Sequence, residues 1–252
     1  MNNMKFIRNF YEEQSRQGVH SILGANPPNE VKYMFAKNIM EIKEACLSHK
    51  PMVSLDVGCA EGYYTKYLGK FSRYAVGVDI SSGYLRQAKS FIKKFNISNV
   101  DFVQADAQFL PFREESIDLV VCFKTLEHIP NMKGVVRGIS KVLKDGGIFI
   151  CSTPYDLTDI KPFDKLKELY ITYDKRKYKF YTHIHTFSPK KLLSILRGND
   201  LVTLKESYTS KTKKLIGNVL KLLPTVGRKL ADRIFYDTEH LFVTLKKACE
   251  KL

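Results

Sequence analysis

V-S-L-D-V-G-C-A-E-G, residues 53–62, is an apolar strand running into a glycine turn. Val53, Leu55 and Val57 alternate with smaller or polar residues, and Asp56 stands near the strand's end. Gly58 and Gly62 enclose a tight turn, and Tyr63 to Leu68 can begin a helix. Glycine lets the backbone bend sharply and lets a ligand approach, while the helix start that follows offers free N–H groups. The loop is therefore a ligand seat. A dinucleotide fingerprint would need glycines at 58, 60 and 63, where this chain has Gly58, Ala60 and Tyr63, so a pyrophosphate is disfavoured.

Working outward, Y-A-V-G-V-D at 74–79 predicts a second strand ending in Asp79, 21 residues after Gly58, where a carboxylate can accept from a ribose diol. A nucleoside without phosphates fits this pair best. A helix over 83–94 and a strand at 100–104 follow, then a polar loop with Pro111 and a strand at 116–123. A helix over 132–143 stops at K-D-G-G (144–147), and I-F-I-C-S (148–152) is a fifth strand. A helix over 188–197, a sixth strand near 201–208 and a last strand at 240–246 complete the series. Strands alternating with helices imply a parallel sheet. Ligands in such sheets bind beyond the carboxyl ends of the strands, so Gly58, Asp79, Asp106 and residues 123–128 should converge there. Upstream, residues 1–23 predict a short helix carrying Phe6, Phe10 and Tyr11, broken by Gly24, Pro27 and Pro28. Residues 29–47 predict an amphipathic helix with Met34, Phe35, Ile39, Ile42 and Cys46 along one face.

The ordered set D-V-G-C-A-E-G (56–62), G-V-D (77–79) and Q-A-D-A (104–107) resembles the class I S-adenosylmethionine (SAM) dependent methyltransferases. The resemblance implies a Rossmann-like α/β fold: a doubly wound seven-stranded sheet, mostly parallel with an antiparallel last strand. It implies that Asp56, Gly58, Cys59, Ala60 and Gly62 hold the methionine end of SAM. Asp79 with Ile80 would hold the ribose, and Asp106 with Ala107 would lie beside the adenine. Ala60 departs from the commoner glycine at its position. Residues 1–50 would form a helical lid, and 51–252 the SAM-binding domain with insertions at 155–187 and 209–238. F-K-T-L-E-H-I-P (123–130), S-T-P (152–154) and H-I-H-T-F-S-P (183–189) are similar to the ubiquinone-pathway O-methyltransferases. A related E-x-x-E-H pattern can hold a divalent metal. Here Lys124 takes the first position, leaving Glu127 and His128 with His183 or His185 as distal partners, so no metal is expected.

If the acceptor is a hydroxyl, a base assists by roughly 10²–10⁴-fold. His128 is the candidate, being next to the crevice and able to titrate near neutrality, with Glu127, His183 and His185 as further catalytic candidates. Tyr11, Lys124 and Tyr155 are candidates for the substrate side. S-adenosylhomocysteine would be the product left behind. The acceptor reads as a small or lipid-linked molecule, quinol- or glycan-like, with RNA methylation and a non-catalytic SAM-binding module as alternatives.

The net charge is +15, and its placement is uneven: residues 161–233 hold 18 Lys and Arg against 6 Asp and Glu, whereas residues 1–160 hold 20 against 17. The basic part follows the fifth strand, which suits an anionic acceptor, a membrane surface or nucleic acid. Lysines interleave with aromatics at 170–181, a pattern that grips nucleic acid or lines a small-molecule pocket. Residues 211–234 read as basic amphipathic helix, fitting peripheral membrane contact, a hydrophobic substrate tail or packing on the domain edge. Five cysteines (46, 59, 122, 151 and 249) form no C-x-x-C pair and read as reduced thiols. No run of about 18 apolar residues offers a bilayer span and no signal peptide is evident, so a cytoplasmic protein is expected.

Overall fold

Apolar residues that alternate along the strands sort onto the two faces of one sheet. The computed structural model of the chain describes residues 3–17, 29–154, 168–173, 176–181, 189–208 and 239–247. Five strands run parallel: β1 (Val53–Val57), β2 (Tyr74–Asp79), β3 (Val100–Gln104), β4 (Ile117–Phe123) and β5 (Leu143–Pro154). The strands β6 (Glu168–Tyr173) and β7 (Arg176–Tyr181) pair antiparallel as a separate two-stranded sheet. With β8 (Leu201–Tyr208) and β9 (Glu239–Lys246), the main sheet has seven strands in the order β3-β2-β1-β4-β5-β9-β8. The last strand, β9, is antiparallel to both of its neighbours. This is the expected doubly wound, Rossmann-like sheet.

Six helices complete the described residues: α1 (Asn3–Gln17), α2 (Asn29–His49), α3 (Tyr63–Phe71), α4 (Ser82–Lys93), α5 (Met132–Val142) and α6 (Pro189–Arg197). Leu55, Val57, Val76, Val78, Val120, Cys122, Phe149 and Cys151 point to one face and pack with Val135, Val136 and Ile139 of α5 and Leu192 and Leu196 of α6. Ala75, Leu119, Val121, Phe123, Ile148 and Ile150 point to the other and meet Ile42 and Cys46 of α2 and Leu68 of α3. Both faces of the parallel strands are thus covered, which is why they read as nearly continuous apolar runs. Cys46, Cys59, Cys122 and Cys151 are buried free thiols, and Cys249 lies outside the described residues.

Two local readings differ from the structure. K-D-G-G does not separate α5 from β5: α5 ends at Val142, and β5 starts at Leu143, which pairs with Ile117. Gly146 takes a positive φ of +74° inside this segment, and the ladder shifts register between Ile117 and Leu119, so the glycines make an irregular strand start. The β6–β7 pair lies within the expected insertion at 155–187, to which the sequence reading assigned no strands. Among the described residues, no helix is long and apolar enough to cross a membrane.

Candidate active site

The chain builds strands β1, β2 and β3 outward in one direction, then returns to place β4 on the other side of β1. That reversal opens a crevice beyond the carboxyl ends of β1 and β4. Gly58 leaves β1 there with φ +75°, and its N–H and that of Cys59 donate to the Val78 carbonyl at 2.8 and 3.0 Å. The turn is thereby fastened to the end of β2. A Cβ on Gly58 would lie 2.3 Å from Oγ1 of Thr125, so the loops after β1 and β4 touch through the missing side chain. Ala60 is also left-handed, at φ 43°, and its N–H donates to Oδ2 of Asp79 at 2.9 Å. Cys59 packs against Gly77, where an added Cβ would be 2.8 Å from Sγ.

Asp79 accepts from Ala60 with one oxygen and from the Ser81 N–H with the other, both at 2.9 Å. Each oxygen retains acceptor capacity for a ligand diol. Asp56 is buried and accepts from the Thr65 hydroxyl at 2.6 Å. Burial pushes the Asp56 carboxyl up to about 7, against the Thr65 hydrogen bond and helped by the charge of Asp79. Burial likewise pushes Asp79 up to about 6 although three backbone N–H groups oppose it. Asp106, after β3, accepts from the Gln108 N–H at 2.9 Å and from its side-chain amide at 3.2 Å, which closes a turn. Ala107 packs at the margin of the core, and the Ile80 carbonyl accepts from Gln104 at 3.0 Å.

After β4, Lys124 is exposed with φ 50°, and Leu126–His128 form a single 3₁₀ turn. Glu127 is fully buried, and its Oε1 stands 3.9 Å from Nε2 of His128, whose side chain is one-quarter exposed. The ring of Tyr11, from α1, meets the His128 ring edge-on with centroids 6.1 Å apart. Burial, then the charges of Glu127 and Asp79, push the Tyr11 phenol well above its ordinary range. Tyr11, Asp79 and the neighbouring pair Glu127 and His128 are therefore gathered at one place from three parts of the chain. Tyr155, His183 and His185 lie outside the described residues, as does the segment 211–234. Among the described residues, no group of three or more His, Cys, Asp or Glu is arranged to hold a metal.

The donor set fits the cofactor that the strand-end motifs imply. SAM carries a sulfonium and an ammonium, and the crevice presents desolvated carboxyls at Asp56 and Asp79 that a cationic ligand would favour in their ionised form. Comparison with known proteins agrees. Residues 55–151 match the methyltransferase domain family. Over these residues the chain is similar to SAM-dependent methyltransferases. A methyltransferase of Bacillus subtilis, YcgJ, is 30% identical over 101 residues, 40% of each chain. The ubiquinone biosynthesis O-methyltransferase of Coxiella burnetii is 27% identical over 130 residues, 51% of this chain and 55% of its own. The match thus spans about half of these relatives or less. In structure, the SAM-bound magnesium protoporphyrin IX methyltransferase of Synechocystis superposes with a TM-score of 0.66 over 98% of both chains at 14% identity, a likeness of fold.

Several residues of the candidate site carried no sequence signal. Thr65 holds Asp56 from nine positions away, Thr125 fills the space that Gly58 leaves, and Glu12 and Tyr84 flank Tyr11 and Asp79. Thr125 with Gly58, Glu12 with Ser82 and Tyr84 with Tyr11 are far apart in sequence, whereas Tyr84 is only five residues from Asp79. Only Thr125 lies within a motif quoted above.

Proposed function

We propose that this protein transfers a methyl group from SAM to a hydroxyl of a small or lipid-linked acceptor, quinol- or glycan-like. The carrying observation is His128, set against the buried carboxylate of Glu127 and under the ring of Tyr11, at the same strand ends as Asp79 and the glycine turn. Bound SAM supplies an activated methyl on a sulfonium, open to in-line attack. His128 would take the acceptor's hydroxyl proton at its ring nitrogen, and Glu127 would stabilise the resulting imidazolium. Tyr11 and α1 would cover the crevice, orient the acceptor and exclude water. The Coxiella relative's name supports the hydroxyl target. The lipid-linked acceptor, with peripheral membrane contact through 211–234, draws on the basic amphipathic pattern there.

The test is methyl transfer from labelled SAM to a panel of catechols, quinols, glycan-lipids and RNA. His128→Ala should lower turnover by roughly 10²-fold or more while SAM affinity holds within about threefold. Unchanged turnover removes His128 from the mechanism. Transfer to RNA alone, with steep salt dependence, replaces the small-molecule reading.

A further inference from the structure

The first turn of any α-helix leaves N–H groups without intrahelical partners. In α4 these are accounted for in an unusual way. The Tyr84 N–H goes to the side chain of the helix's own cap, Ser81, at 3.3 Å. The N–H groups of Ser82 and Gly83 go instead to the two carboxylate oxygens of Glu12, at 2.7 and 3.1 Å, seventy residues away in α1. Gln87 adds a side-chain hydrogen bond to the Ser15 carbonyl at 2.6 Å, and the Ser81 hydroxyl approaches the Tyr11 carbonyl at 3.4 Å. Gly83 leaves room for this contact: a Cβ there would stand 1.9 Å from Oγ and 2.9 Å from Cβ of Ser15. Burial pushes the Glu12 carboxyl up, but the Ser82 and Gly83 donors outweigh it and hold it below its ordinary range.

We propose that Glu12 is a positioning residue, a latch that fastens α1 to the amino end of α4 and so sets Tyr11 against His128 over the crevice. The inference rests on the methyltransferase reading for its consequence, though not for the latch itself. A carboxylate is suited to the task because the helix amino end carries partial positive charge and two N–H groups to match two oxygens. Glu12 neighbours Tyr11 in sequence, so fixing one fixes the start of the other's side chain. The acceptor end of the site is then complete only while α1 is latched.

The test separates the latch from the chemistry. Arg8 and Arg16 are exposed on α1, and tryptic cleavage there under native conditions reports the population with α1 released. Glu12→Ala should speed cleavage at Arg16 about tenfold or more, given the loss of two charge-assisted hydrogen bonds. Gly83→Ala is the second variant: alanine suits a helix better than glycine, so the fold is retained while α1 is displaced. Adding Ser15→Gly to Gly83→Ala should restore part of the resistance, because the two contacts under 3.0 Å are with Ser15 while Oε2 of Glu12, 3.1 Å from the added Cβ, must still give slightly. Both Glu12→Ala and Gly83→Ala should raise the acceptor KM and lower kcat, with SAM affinity changed less than about threefold. Wild-type cleavage rates in both variants overturn the latch. Faster cleavage with wild-type KM and kcat upholds Glu12 as the fastening of α1 but overturns it as a positioning residue. Absence of methyl transfer by the wild-type protein, with faster cleavage in the variants, strikes the functional reading and not the latch.

Discussion

Replacing Gly58 by alanine perturbs the junction between the loops after β1 and β4, at a cost set by backbone strain and by contact with Thr125. The residue has φ +75°, where an L side chain costs roughly 1–2 kcal/mol. The new Cβ would lie 2.3, 2.4 and 2.9 Å from Oγ1, Cγ2 and Cβ of Thr125. Rotating the threonine side chain cannot relieve a 2.9 Å contact with its own Cβ, so the loop after β4 must move. Thr125 then loses its hydrogen bond to the Phe123 carbonyl, 3.0 Å long, at about 1 kcal/mol, on top of an overpacking term of about 1–3 kcal/mol. About 4 kcal/mol in all corresponds to a fall in Tm of roughly 8–16 °C for a chain of this size. Gly146 is the control, with φ +74° and nothing within 4 Å of the added Cβ, so Gly146→Ala should cost only the backbone strain, roughly 3–6 °C. Thermal melts of the two variants give the difference directly. Combining Gly58→Ala with Thr125→Gly should show favourable coupling of about 2 kcal/mol. A Gly58→Ala protein that melts with Gly146→Ala refutes the close approach of the two loops.

Two further outcomes follow from the buried carboxyls. Asp56 and Asp79 are raised to about 7 and about 6, so between roughly pH 4 and 7 the folded protein holds protons that the unfolded chain has released. Their contribution to the stability of the unliganded protein is therefore greatest at acid pH and is lost as pH rises through about 6 to 7. SAM affinity should run the opposite way, rising over the same window as the carboxylates ionise, and melts with and without SAM across pH 5–8 read both trends. Thr65→Val keeps the shape of the side chain but withdraws the hydroxyl 2.6 Å from Asp56, and should destabilise by about 1–3 kcal/mol in urea unfolding. An unchanged midpoint would mean that Asp56 does not depend on that donor.

Much of this architecture is legible in the sequence because the parallel strands are local signals bounded by glycine and acid. Val100–Gln104 and Leu201–Tyr208 lie where their apolar runs place them, and Asp79 closes β2 as its spacing from Gly58 implies. The glycine turn and Asp79 do meet, through the Ala60 N–H. Where the reading fell short, long-range contacts or competing patterns decided. L-Y-I-T-Y and K-Y-K-F-Y alternate with a period of two, the mark of strands, but their lysines and aromatics read equally as a nucleic-acid grip. K-D-G-G carries the usual stop of a helix, yet pairing of Leu143 with Ile117 draws the segment into the sheet. Glu12 looks like an ordinary charged residue of an amphipathic helix, and only α4, seventy residues on, gives it a task. The same holds for Thr125, whose role depends on a side chain that Gly58 lacks.

The most direct measurement is calorimetric titration with SAM and with S-adenosylhomocysteine, on the wild-type protein and on Asp79→Ala. Asp79 joins the glycine turn to the end of β2, and if its carboxylate accepts from the ribose as proposed, its loss should weaken both ligands by roughly tenfold to a hundredfold or more. Micromolar binding by the wild type that the variant loses is the predicted result. No binding to the wild-type protein, or equal binding to a folded Asp79→Ala, contradicts the assignment of this crevice to SAM.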